Sequence, residues 1–137
     1  MLLIRRGRFH LKQCSKFDRR FLKTCITGIG NPEPKYAGTR HNVGLAFLDL
    51  LKDNLIEHSG EKPYKKCSDA AARYVNASPD LLFIRSDGDF INLSGKTVVP
   101  LWRKLSRYGA VTNVVVHDEL SLPLGKVQLR KPGTSLR

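Results

Sequence analysis

Runs and alternations of apolar residues divide the chain into elements. FLKTCITGIG (21–30) is a short apolar run closed by glycines, which predicts a buried strand ending in a glycine turn. NVGLAFLDLLKDNLIEH (42–58) places Val43, Phe47, Leu50, Leu51, Asn54 and Leu55 at helical spacing. That pattern predicts an amphipathic helix, stopped by Gly60 and Pro63. Within the ambiguous stretch KKCSDAAARYVNA, residues 72–77 read as a short strand, and LLFIRS (81–86) reads as another. SDGD (86–89) predicts a tight turn. A second helix is expected over about 94–108, with Val98, Leu101, Trp102 and Leu105 as its apolar stripe. Pro100 inside it predicts a kink or a later start. TNVVVHDE (112–119), with three consecutive valines, reads as a central buried strand, and GKVQLRK (125–131) as a further strand.

Strands alternating with helices predict an α/β fold: a single mixed, mostly parallel twisted sheet flanked by helices on both faces. Ligands of such sheets sit beyond the carboxyl ends of the strands. The unusual polar residues lie there. Asn31 and His41 follow the first strand, Asn92 precedes the second helix, and Asp118 and Glu119 follow the valine strand. Three loops from separate parts of the chain are therefore expected to converge.

A length of 137 residues suits one domain, and 41% apolar residues suffice for a core. No run of 18 apolar residues suggests a membrane span. The net charge of +12 is unevenly spread: residues 1–23 hold eight basic residues against Asp18 alone, and 121–137 hold four basic residues and no acid. Such a surface suits a polyanion, because each neutralised phosphate releases counterions. Residues 1–21 read as a basic arm, either unstructured or a mitochondrial presequence, ahead of an α/β domain over 22–137. Localisation is expected to be cytoplasmic or mitochondrial. Cys14, Cys25 and Cys67 are odd in number, widely spaced and free of C-x-x-C, which argues against a disulfide framework and for a reducing compartment.

GNPEPKYAGTRHN (30–42) is poor both as helix and as strand, yet rich in hydrogen-bonding side chains. Alone, His41 is a capping or surface histidine. A carboxylate from Asp118 would change that, by binding one imidazole nitrogen, fixing the tautomer and leaving the other nitrogen as a base. Such a base can deprotonate water directly, and no serine lies in a G-x-S-x-G elbow. Asn31 and Asn92 suit gripping a peptide group or polarising a carbonyl, although each alone is an ordinary turn residue. A dinucleotide site after GIGNPE fails on detail: Glu33 replaces the third glycine, and Pro32 and Pro34 remove donors. His10, His41, His58 and His117 show no metal-ligand spacing.

TGIGNPEPKYAGTRHNVG (27–44), FINLSG (90–95) and HDELSLPLGKVQLRK (117–131) resemble, in order and spacing, three signature blocks of the bacterial-type peptidyl-tRNA hydrolases. The wording is closest to fungal members, and the resemblance runs from about residue 22 to the end. It implies hydrolysis of the ester joining a peptide to the 3′-terminal ribose of tRNA, by a monomer with no membrane attachment and no metal or organic cofactor. By motif, His41 is the general base and Asp118 stabilises its active form. Asn31 helps to distinguish a peptide-bearing amine from a free one. Tyr36, Phe90 and Asn92 contact the tRNA 3′ end and the peptide. Ile91 stands where the family commonly has methionine, a mild apolar swap. The family continues with a G-H-N-G-L block, bearing a further site asparagine, where this sequence ends in KPGTSLR. The C-terminal part of the fold is thus expected to be missing, leaving apolar surface and a strand edge uncovered. The alternative expectation is a catalytically impaired tRNA-binding remnant.

Overall fold

The computed structural model describes residues 21–56, 63–68 and 70–131. Most of the expected basic arm, the end of the first expected helix and residues 132–137 lie outside that range. The elements are β1 (Thr24–Gly28), a 3-10 turn (Arg40–Asn42), α1 (Val43–Ile56), β2 (Lys65–Lys66), β3 (Ala72–Ser78) and β4 (Leu81–Ser86). A second 3-10 turn (Ile91–Leu93) leads into α2 (Ser94–Leu105), a third (Ser106–Tyr108) closes it, and β5 (Thr112–Val116) follows.

The strands form one five-stranded sheet in the order β2-β3-β4-β1-β5. β1 runs parallel to both β4 and β5, whereas β3 is antiparallel to β4 and β2 to β3. Side chains alternate across β1, as strand geometry requires. Cys25 joins Leu22, Ala72, Leu82 and Ile84 on one face, where Leu101, Trp102 and Leu105 of α2 pack. Ile26 lies on the other face with Val75, Phe83, Leu48 and Ile56. One helix therefore covers each face of the mixed sheet. Buried Thr27 is not left unsatisfied, because the Trp102 Nε1–H donates to its hydroxyl at 3.1 Å. No helix among the described residues is long and apolar enough to cross a membrane.

The register places Gly28 opposite both Arg85 and Val116, so β1, β4 and β5 end together. Against that end α1 comes unusually close. A Cβ added to Gly28 would lie 2.3 Å from the Gly44 carbonyl oxygen, and one added to Gly44 would lie 2.2 Å from the Val116 carbonyl oxygen. Only hydrogen fits at either position. The crossing sets both where α1 begins and how it is rotated about its axis.

That rotation corrects the expected helix face. Gly44, Leu45, Leu48 and Ile56 are buried, while Val43, Phe47, Leu50 and Leu55 are 40% to 61% exposed. Of the expected stripe only Leu51 packs on the core, and Asn54 bonds back to the Leu50 carbonyl. Apolar residues occupy both sides of this helix, so periodicity could not choose between them; the glycine contact does. β5 is a second correction. It pairs with β1 alone among the described strands and is only half-buried, so it is marginal rather than central. β-branched residues satisfy an edge strand as well as an inner one. A third correction concerns 125–131, which form no strand. They join no strand of the described sheet, and Leu124, Val127 and Leu129 are 90% to 105% exposed. Pro100 sits inside α2 on its exposed side, and the helix starts at Ser94 rather than late.

Gly44→Ala is expected to destabilise the domain by ~2 kcal/mol or more through forced backbone movement. Gly95→Ala on α2, where an added Cβ meets nothing within 4 Å, is expected to be neutral or slightly stabilising. Equal urea midpoints for the two variants would contradict the crossing. Burial pushes the Cys25 thiol up to about 11, so at pH 8 it stays protonated and shielded. Peptide mapping after alkylation should find Cys25 modified only in denatured protein.

Candidate active site

The loop between β1 and α1 is held by its own turns and by one buried side chain. The Tyr36 carbonyl accepts from both the backbone N–H and the hydroxyl of Thr39, at 3.2 and 2.7 Å. Asn42, 3% exposed, grips Asn31 twice. Its Oδ1 accepts the Asn31 N–H at 2.7 Å, and its Nδ2 donates to the Asn31 carbonyl at 3.2 Å. The start and finish of the loop are thereby tied together. Buried Ser86, at the end of β4, accepts the Gly30 N–H at 3.2 Å. Arg85, whose side chain is 13% exposed, binds Glu33 of the loop at 2.7 Å and Asp49 of α1 at 3.2 Å.

His41 lies in the 3-10 turn directly ahead of α1, and Asp118 lies just past β5. Their side chains meet: His41 Nδ1 is 2.8 Å from Asp118 Oδ2, with the imidazole 42% and the carboxylate 14% exposed. The neighbouring acid and histidine point elsewhere. Glu119 accepts from the backbone N–H and hydroxyl of Ser121, which hold its carboxyl below the usual range. His117 Nδ1 contacts the Asp118 carbonyl at 2.5 Å, outside the pair. Because a carboxylate can only accept, the neutral imidazole carries its proton on Nδ1 and presents the Nε2 lone pair to solvent.

The third loop joins through Asn31. Its Oδ1 accepts the Ile91 N–H at 2.9 Å. That bond assigns the amide orientation and leaves Nδ2 as a donor with no partner among the described residues. Beside it, the Tyr36 and Phe90 rings pack edge to face with centroids 5.9 Å apart, and Lys35 Nζ stands 5.3 Å from the Tyr36 ring centre. Phe90 is exposed, and so is Asn92, which lies in the 3-10 turn without a hydrogen bond among the described residues. The sheet end thus carries a histidine paired with a carboxylate, an amide with one end held by the backbone, and an accessible aromatic pair. Direct contacts join His41 to Asp118 and Tyr36 to Phe90, and Asn31 binds the backbone of Ile91, the residue after Phe90. Asn92 joins them only through its neighbour Ile91.

Four positioning residues carry no clear mark in the sequence. Asn42 stands beside His41 in the same loop and is one polar turn residue among many there. Gly28 and Gly44 read as a turn glycine and a helix residue. Arg85 offers the one signal available, a charge ending an otherwise apolar strand.

A family model described as peptidyl-tRNA hydrolase matches residues 25–136. A Saccharomyces cerevisiae peptidyl-tRNA hydrolase is 47% identical over 113 residues, which cover 82% of this chain and 58% of that protein. A Lactococcus lactis peptidyl-tRNA hydrolase is 40% identical over 111 residues, covering 80% of this chain and 56% of that one. Among solved structures, a crystal structure of peptidyl-tRNA hydrolase in complex with n-propanol superposes with a TM-score of 0.57 at 26% identity, covering 75% of this chain and 50% of the other. The chain spans about half the length of the curated relatives it matches, 58% and 56% for these two. Sequence and fold agree on descent: the chain belongs to the peptidyl-tRNA hydrolase family.

Proposed function

We propose that the chain hydrolyses the ester joining a peptide to the 3′-terminal ribose of tRNA, with His41 as general base. The observation that carries this reading is the 2.8 Å contact between His41 Nδ1 and Asp118 Oδ2, which joins the loop after β1 to the end of β5. The shared name of the yeast and bacterial relatives supports the substrate class.

Water bound at His41 Nε2 gives up a proton as its oxygen attacks the ester carbonyl. The resulting imidazolium is stabilised by the Asp118 carboxylate. Collapse of the tetrahedral intermediate breaks the bond to the ribose oxygen, which takes the proton back from His41. The products are a free peptide acid and tRNA with its 3′-terminal hydroxyl restored. Asn31 Nδ2, left open by the Ile91 contact, donates to a carbonyl of the peptide and so favours a blocked amine. Tyr36 and Phe90 offer ring faces to the terminal base or to the peptide, and Asn92 offers an exposed amide beside them. The net charge of +12 suits the tRNA backbone. A monomer working in the cytoplasm or the mitochondrion fits this reading, and the basic residues of 1–23 are compatible with import.

Release of peptide from peptidyl-tRNA tests the assignment. His41→Ala is expected to lower kcat by ~100- to 10,000-fold, the usual worth of a positioned base. Asp118→Asn, which removes the tautomer lock but keeps the shape, is expected to cost ~100-fold or more. Asn31→Ala should mainly reduce the preference for N-blocked over free aminoacyl esters. An unimpaired His41→Ala enzyme would remove the proposed base.

A further inference from the structure

Residues 90–117 contain four basic side chains, Lys96, Arg103, Lys104 and Arg107, and no acid. At about 100° per residue, positions 96, 103 and 107 fall on one stripe of α2 and its 3-10 extension, with 104 at the margin. The stripe lies opposite Leu101, Trp102 and Leu105, which pack on the sheet. Lys96, Arg103 and Arg107 are exposed, and none has an ion-pair partner among the described residues, whereas Arg73 and Arg85 are bound by carboxylates. A face that served solvation alone would be better stabilised by acids one turn away. Lys96 and Lys104 also wall a cavity of about 310 Å³ together with Pro100, Leu101, Ala71 and Asp89, and the Asp89 carboxylate is already engaged by the Thr97 hydroxyl.

The helix that carries the stripe starts beside the candidate site. α2 begins immediately after the turn that holds Ile91, and Asn31 accepts the Ile91 N–H. From Lys96 to Arg107 the stripe extends about 16 Å at helical rise.

We propose that this basic edge of α2 seats the sugar–phosphate backbone of the tRNA acceptor arm while the 3′ end lies at His41. The assignment rests on the proposed function and adds a location to it. A strand leaving the site along α2 meets Lys96 first, then Arg103 and Arg107, and each neutralised phosphate releases counterions.

The test compares Lys96→Ala, Arg103→Ala, Arg107→Ala and the triple variant on two substrates: full peptidyl-tRNA and the same peptide esterified to a CCA trinucleotide. Lys65→Ala/Lys66→Ala, on the edge strand farthest from β5, serves as the control. For the full substrate, KM should rise several-fold per substitution with kcat unchanged, while both constants hold for the trinucleotide. The slope of log affinity against log salt should flatten by about one for each phosphate that is no longer neutralised. Unchanged KM and salt slope on the full substrate would overturn the proposal, as would equal weakening on both substrates or in the control. If the parent turns over neither substrate, the proposed function fails. Binding of deacylated tRNA, followed by fluorescence anisotropy against salt, still reads the stripe by the same two criteria.

Discussion

Backbone-to-backbone contact between the first turn of α1 and the ends of two strands is the constraint on which the candidate site depends. Gly44 rests against the Val116 carbonyl, and Gly28 against the Gly44 carbonyl, at separations that exclude even a methyl group. Three residues before Gly44 comes His41, and two residues after Val116 comes Asp118. Once the glycines close, an imidazole and a carboxylate distant in sequence are brought to 2.8 Å without further adjustment. The same contact turns Leu45 and Leu48 toward the sheet, so one approach sets core packing and site geometry together.

Around this contact the hydrogen bonds are directional rather than numerous. Asn42 uses both ends of its amide on the Asn31 backbone, and Asn31 uses one end of its own on Ile91. Each bond fixes the orientation of the next group, so the Asn31 Nδ2 donor is held in one direction. The His41–Asp118 pair itself contributes little to stability, since a half-exposed ion pair is worth about 1 kcal/mol or less. Its consequence is chemical: it decides which nitrogen holds a proton.

Much of this is legible in the sequence. The loop 30–42 announces itself because turn formers and hydrogen-bonding side chains crowd between two apolar stretches, and Asp118 because it ends a valine strand. The three site loops converge because strand–helix alternation brings strand ends together. Other features depend on long-range contact and leave no local trace. α1 is apolar on both sides, so its buried face is chosen by a glycine contact with a strand dozens of residues away. The run Val114–Val116 looks the same at an edge as at a centre. The segment 125–131 has strand composition but joins no strand of the described sheet, and composition cannot supply a neighbouring strand.

The central claim, that Asp118 holds His41 with its proton on Nδ1 and its lone pair on Nε2, is most directly tested by the imidazole nitrogen chemical shifts of His41. In long-range ¹H–¹⁵N correlation spectra of the neutral side chain, Nδ1 should carry the protonated-type shift and Nε2 the unprotonated type. Replacement of Asp118 by alanine should shift His41 toward the Nε2–H form that free histidine favours. A wild-type His41 already in the Nε2–H form, unchanged by that replacement, would contradict the account.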